Sequence, residues 1–334
     1  MSRQGAEPKP PWSAVPPEIK DEAGGVLGSP IVRATRIYGG FAPSATFRLV
    51  LRDGKRAFFK GIYPAEGTGA IWMLDEEERV YRKLGDRIAP WAPKFLGSVR
   101  HEGWHAILLE DLGPTDVPPW TPAKTRGAAR SYADFHRRNL GARLPRWLPQ
   151  QEWRKFSESW PKAREDGLDK PAALARRRRD EAREWLDVAY PVLAAKAAHL
   201  GTQRARTTLL HFDTRADNLR VTRGKLRLFD WNWACPGAPE FDLAAFAQGV
   251  TADGGPTPER VVAWYDEKLS VDRRVLEASI AAIAGFFVRL AWRPPIKGLP
   301  RLRSVQRRQL KASLSWAARI EGLSEPLWLA AVAD

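Results

Sequence analysis

Sulfur is scarce in this chain. One cysteine, Cys235, and two methionines stand among 334 residues. An intramolecular disulfide is therefore excluded, and a lone thiol fits a reducing cytoplasm, the expected location. Long apolar runs are missing as well. The longest, about 278–288, is bracketed by Glu277 and Arg289. It is too short to span a bilayer and reads as a buried helix, so no membrane partner is expected. The stretch from Met1 to Trp12 is polar and proline-rich without an apolar core, which speaks against a secretory leader. Acidic charge is in deficit: 39 Asp and Glu against 54 Lys and Arg leave a net charge of +15. Such a field favours anionic ligands, including nucleotides and nucleic acid. Yet no zinc spacing, helix-turn-helix or RNA-binding motif accompanies it, and the arginines are spread along the whole chain, so nucleic acid is not the expected partner. The densest run, Arg176 to Arg179, lies in a polar helical stretch and reads as a solvated helix face.

Apolar residues make up 44% of the chain, enough for two lobes with their own cores. Residues 1–11 read as a tail and 17–25 as a short helix. Strand patterning dominates 31–60. Residues 47–51 alternate, Asp53-Gly54 suggests a two-residue turn, and 57–60 returns. That turn would pair Arg52 with Lys55, Val50 with Ala57 and Phe47 with Lys60. A helix over 70–84, a strand over 106–109 and a proline-rich connection over 113–122 follow. Helices are expected at 124–139, 151–164, 171–200, 258–269, 273–293 and 304–321, interrupted by one hairpin at 218–230. The expected fold class is α+β. A tail and short helix (1–28) precede a small antiparallel-sheet lobe with one main helix (29–110), then a larger helical lobe (111–334), with ligands in the crevice.

The hairpin carries the chemistry. A turn centred on Arg223-Gly224 sets Val221 opposite Leu226 and Asn218 opposite Phe229, so Asn218 and Asp230 meet at its open end. An amide oxygen beside a carboxylate makes a hard-oxygen site suited to Mg²⁺. Asp213, five residues before Asn218, enters the same pocket on the preceding loop. One carboxylate to orient a hydroxyl and take its proton, with a second carboxylate and an amide to hold metal, is what phosphoryl transfer from a triphosphate requires.

The spacing His211-x-Asp213-x4-Asn218, followed by Asp230, resembles the catalytic and metal-binding segments of the protein-kinase-like superfamily. It is more closely similar to the aminoglycoside phosphotransferase and choline kinase family, whose Asp-Trp, Gly-x-Pro and Asp-Leu-Ala elements have counterparts in Asp230-Trp231, Gly237-Ala238-Pro239 and Asp242-Leu243-Ala244. The resemblance implies a two-lobed protein-kinase-like fold, ATP and Mg²⁺ as cofactors, and a small-molecule hydroxyl acceptor such as a sugar, amino alcohol or antibiotic-like metabolite. It also implies that Asp213 is the catalytic base and that Asn218 and Asp230 are the metal ligands. The alternative on the same fold is a catalytically silent nucleotide-binding regulator. The sequence departs from the family at Phe212, where glycine is usual. Arg215 either stabilises the transferring phosphoryl group or ties the loop to a carboxylate. His211 and Asp242 read as structural supports, and Asp217 as a solvated loop residue.

The nucleotide half is expected at the Gly39-Gly40 turn with Ser44, where backbone amides can approach phosphates beside the Lys60 ammonium. Met73, Glu77, Val80, Tyr81 and Leu84 share a helical face. Glu77 on that apolar face needs a cation, and Lys60 supplies one, as in kinase-like folds; Glu76 and Glu78 are expected to turn away, with Glu78 the alternative partner for Lys60. The segment 106–112 resembles the strand and hinge between lobes, placing the adenine near Glu110 and Leu112. Trp120 and the loop 292–303 are candidate acceptor contacts.

Overall fold

The computed structural model describes residues 9–38, 40, 44–62, 71–114, 116–202 and 204–334. Helix α1 (Pro17–Leu27) precedes strands β1 (Ile31–Arg36), β2 (Ala45–Leu51) and β3 (Arg56–Ile62). Helix α2 (Ile71–Ile88) follows, then β4 (Phe95–His101) and β5 (Trp104–Glu110). The strands form one antiparallel sheet in the order β1-β2-β3-β5-β4. Strand alternation gives the sheet two apolar faces. Phe47, Leu49, Phe59 and Leu108 pack against Val15, Ile19 and Ala23 on the α1 side. Ile62, Ile107 and Leu109 pack against Leu74, Val80, Tyr81 and Leu84 on the α2 side. Trp12 meets Phe47 and Phe59 edge-on at 4.9 and 5.4 Å. The described part of the expected tail thus lies on the sheet, with Lys9 buried against Ser44.

The β2–β3 register differs from the expectation by one residue. Thr46 pairs with Lys60, and Phe47 with Phe59. The connection has three residues, not two: the Leu51 N–H donates to the Lys55 carbonyl at 2.9 Å, the Gly54 N–H to that of Leu51 at 3.0 Å, and Gly54 takes φ +82°. The Asp53 carboxylate accepts the Lys55 N–H at 3.1 Å. A one-residue slip exchanges the faces. The observed register takes Lys60 off the Phe47–Phe59 face and points it at α2.

The larger lobe comprises α3 (Pro122–Asn139), a 3₁₀ stretch over Glu152–Glu158, α4 (Ser159–Asp166), α5 (Asp169–Ala172), α6 (Arg179–Thr202), α7 (Pro239–Ala252), α8 (Pro258–Asp266), α9 (Arg273–Leu290) and α10 (Leu302–Ile320). The helix expected over 171–200 is broken at Arg176, whose φ of 51° and ψ of −110° leave the helical region. Strands β6 (Thr208–Leu210) and β9 (Cys235–Gly237) pair, as do β7 (Leu219–Thr222) and β8 (Lys225–Leu228). In the latter hairpin Arg223 and Gly224 both have positive φ, 51° and 72°, the geometry of a tight turn matched to strand twist. Val221 faces Leu226, as the sequence suggests. The hairpin docks on the small lobe through the Leu228 N–H to Trp91 carbonyl bond, 2.5 Å, and through Arg227, which reaches the Ala92 carbonyl at 2.8 Å and Glu110 at 2.7 Å. The architecture is α+β and two-lobed: a small antiparallel sheet with one principal helix facing the cleft, and a larger helical lobe. Among the described residues, no helix is long and apolar enough to cross a membrane.

Candidate active site

The loop that carries Asp213 is fixed from behind. The side chains of Leu210 and Trp153 pack over Gly237 of β9, where an added Cβ would sit 2.4 Å from Leu210 and 2.6 Å from Trp153. Asp242, in the first turn of α7 and fully buried, accepts the His211 N–H at 2.7 Å, the Phe212 N–H at 3.1 Å and the Tyr132 hydroxyl at 2.5 Å. Three donors and the positive end of the helix dipole compensate for burying that carboxylate. The imidazole of His211 lies 2.9 Å from the Phe229 carbonyl, tying loop to hairpin. Burial pushes its pKa down, which keeps the ring neutral. Phe212 stands in the left-handed region at φ +73°. Its ring stacks on Phe241 at 5.3 Å and meets Phe156 edge-on at 5.7 Å.

Beyond this brace, Asp213 faces the cleft. Its two carboxylate oxygens accept from Arg215 Nε at 2.8 Å and Nη2 at 3.0 Å, a bidentate pair. In this structure Arg215 therefore ties down Asp213, the second of its two expected readings. Asn218 is buried. Its amide nitrogen donates to the Asp213 carbonyl at 3.1 Å, and its own carbonyl accepts the Phe229 N–H at 3.1 Å, so loop and hairpin share one hydrogen-bonded frame. Asp217, expected to be solvated, is only partly so: one of its oxygens is buried without a hydrogen bond, and burial raises its pKa despite Arg215 nearby.

The small lobe supplies the opposite wall. The Lys60 ammonium donates to Glu77 Oε2 at 2.5 Å and to Asp230 Oδ1. The backbone N–H of Asp230, itself at φ +69°, donates to Glu77 Oε1 at 3.2 Å. One buried carboxylate thereby holds both the lysine and the backbone of the aspartate, and the contact joins the lobes. Glu78, expected to turn outward, is buried instead. It is held by Ser98 at 2.5 Å, Arg82 at 2.6 Å, His105 at 2.7 Å and Arg100 at 3.1 Å. Burial pulls its pKa upward, but the Ser98 hydroxyl and the two arginines outweigh this and leave it at about 2.

Gly39 lies outside the described residues. Gly40 takes φ +74°, and Ser44 sits buried at the start of β2, beside the sheet end that carries Lys60. Glu110 closes β5 with its side chain on Arg227 and the Lys94 N–H, and Leu112 follows half-buried. Asp111, which the sequence reading passes over, accepts from Arg48 at 3.0 Å and from the Gly113 N–H at 3.0 Å, holding the connection between lobes. Trp120 is a buried core residue packed on Phe246; of the loop 292–303, Trp292 lies beside Lys170, while Leu299 and Leu302 line the cavity described next.

A cavity of about 780 Å³ opens from Asp213, Asp230 and Lys60 into the larger lobe. Phe156, Phe212, Phe241, Phe286 and Leu302 line it, and Trp72 and Trp233 meet edge-to-face at 5.3 Å along one side. Apart from Phe212 and the loop that contains Leu302, the sequence could not single these out, because each reads as ordinary packing until the chain is folded.

The signature described as the phosphotransferase enzyme family matches residues 35–278. No curated protein matches the chain. Among solved structures, the spectinomycin phosphotransferase in complex with ADP and spectinomycin is 14% identical, with 93% of this chain and 97% of that one covered and a TM-score of 0.57. An aminoglycoside phosphotransferase from Alicyclobacillus acidocaldarius is 15% identical over 90% of this chain and 86% of its own, TM-score 0.54. The amicoumacin kinase hAmiN, in complex with AMP-PNP, Ca²⁺ and Ami, is 13% identical over 83% and 87%, TM-score 0.50. At these identities the likeness is one of fold.

Proposed function

Because the chain belongs to the phosphotransferase enzyme family, we propose that it moves the γ-phosphoryl group of ATP to a hydroxyl of a small molecule, with Asp213 as base. Residues 29–110 hold the nucleotide in this reading, and residues 111–334 hold the acceptor. The observation that carries it is the convergence of Asp213, Asn218, Asp230, Lys60 and Glu77 at one end of one hairpin, beside an open cavity. Similar folds bind ADP, or AMP-PNP with Ca²⁺, which supports a nucleotide and a divalent ion here.

The residues present fit magnesium. Asn218 and Asp230 offer hard oxygens, and Mg²⁺ is commonly held by one or two carboxylates together with phosphate oxygens, not by a full protein cage. When bound there, Mg²⁺ supplies positive charge to the phosphate oxygens. The protein's own groups do the rest. Lys60, kept in place by buried Glu77, presents its ammonium to the triphosphate. Arg215 fixes the rotamer of Asp213. Asp213 accepts the acceptor's hydroxyl proton while the hydroxyl oxygen bonds to the γ-phosphorus. The bond from that phosphorus to the β–γ bridging oxygen breaks, and ADP leaves with its electron pair.

Asp213→Ala tests this reading. Transfer should fall at least about 100-fold, the low end of general-base contributions, while calorimetry shows Mg·ATP affinity unchanged. Full turnover in that variant would remove Asp213 from the reaction.

A further inference from the structure

The wall of the acceptor cavity has a chemistry of its own. Phe156 is its centre, stacked on Phe286 at 4.9 Å and edge-on to Phe241 at 4.9 Å and Phe212 at 5.7 Å. Phe287 extends the cluster from Phe286 at 5.2 Å, and Ile283 of α9, Leu299 of the following loop, and Leu302 and Val305 of α10 carry the apolar surface onward. Elsewhere in the lining Trp72 of α2 and Trp233, three residues after Asp230, present half-exposed indoles. Large aromatic surfaces left in contact with water at a cavity are what an apolar ligand body covers.

The charged lining points the same way. Away from the phosphate end the described wall carries three cations, Lys155, Lys162 and Arg289, and one carboxylate, Glu152. Lys155 already takes Glu152, at 2.6 Å. Lys162 and Arg289 are paired with Glu158 and Asp166 outside the wall. Each of these cations has a carboxylate partner, so the wall is charge-balanced and the surface it offers is largely aromatic.

We infer that the acceptor is a hydroxyl compound with a large aromatic or polycyclic apolar body. This rests on the phosphoryl-transfer reading above. The cavity, about 780 Å³ with its phosphate end included, leaves room for a ring system, since pockets for drug-sized ligands span roughly 300–1,000 Å³. The hydroxyl reaches Asp213, while the apolar body lies against the phenylalanine cluster and the two tryptophans.

The test uses the whole chain and three hydroxyl probes: 2-(2-naphthyl)ethanol, choline and kanamycin. Calorimetry measures binding of Mg·ATP and of each probe, and transfer of labelled γ-phosphate to each probe is then followed. The naphthyl alcohol should bind and be phosphorylated with a kcat/KM at least tenfold above the two cationic probes. Phe286→Ala should weaken naphthyl-alcohol binding at least fivefold and leave Mg·ATP affinity as in the parent. If that variant does not fold, Trp233→Ala, on an exposed side chain, serves the same comparison. Preference for choline or kanamycin, or no binding of the naphthyl alcohol, overturns the inference while Mg·ATP binding leaves the kinase reading standing. Unchanged naphthyl-alcohol affinity in Phe286→Ala overturns the assigned wall. Failure to bind Mg·ATP removes both readings.

Discussion

Phe212 occupies a backbone conformation that L-residues avoid, and replacing it should produce an inverted order of stabilities. At φ +73° a side chain with a Cβ costs about 1–2 kcal/mol, which glycine does not incur. Against that, the ring makes two aromatic contacts, with Phe241 and Phe156, each contributing about 0.5–1.5 kcal/mol beyond its area. The half-buried ring adds roughly 1 kcal/mol of apolar burial. Phe212→Gly loses the ring and gains flexibility in the unfolded chain, but sheds the strain; the net loss is about 2 kcal/mol. Phe212→Ala loses the same ring and keeps the strain, for a net loss of about 3 kcal/mol. The glycine variant should therefore be the more stable of the two by about 1 kcal/mol, whereas glycine is ordinarily the worse residue by 0.5–1 kcal/mol. Urea unfolding of the three proteins at one pH, read from midpoints at a common slope, measures the order. An alanine variant as stable as the glycine variant, or more so, would refute the argument from backbone strain.

Asp230→Ala should weaken Mg·ATP binding at least tenfold by calorimetry, because it removes the charged member of the proposed oxygen pair; parent-like affinity would exclude it as a ligand. Asp242→Asn places an amide donor among three groups that all donate to the carboxylate, and should cost about 3–5 kcal/mol in unfolding free energy; a loss below about 1 kcal/mol would mean that the catalytic loop is not anchored there. The folded-state pKa of Glu78 lies at about 2, below its ordinary 4.5. Its contribution is therefore present above pH 4.5 and lost as pH falls toward 2, at most about 3 kcal/mol over that window. Unfolding midpoints between pH 5 and 2.5 should fall more steeply in the parent than in Glu78→Gln, and parallel curves would disprove this.

What was legible in the sequence was local or forced. The Arg223-Gly224 turn needs two positive φ values, so its length and hence the facing of Asn218 and Phe229 follow from the turn residues. Asp53-Gly54 looks similar but forms a three-residue connection, because Asp53 bonds the Lys55 N–H and only Gly54 takes positive φ; the one-residue error follows from that single choice of turn. Helix α7 escaped notice because its positions from Pro239 to Val250 are nearly all buried, so it shows no polar face for a helical period to reveal. The cavity escaped because Phe156, Phe212, Phe241 and Phe286 come from four separate segments, and an isolated phenylalanine signals only packing.

The run Glu76-Glu77-Glu78 shows where the reasoning stops working and why. A buried carboxylate requires a partner, and that rule assigns Glu77 to Lys60 because the apolar positions Met73, Val80 and Tyr81 mark one face of α2. The same count sends Glu78 outward on the assumption that α2 buries a single face. The helix instead lies against both the cleft and the β4–β5 edge, and residues one apart differ by about 100°, so neighbouring carboxylates face different partners. Glu77 meets Lys60 and the Asp230 backbone, while Glu78 meets Ser98, Arg100 and His105. Two adjacent glutamates thus fix α2 in two directions at once. The orientation of Lys60 toward Asp230 depends on both, one through direct contact and the other by holding the helix that carries it.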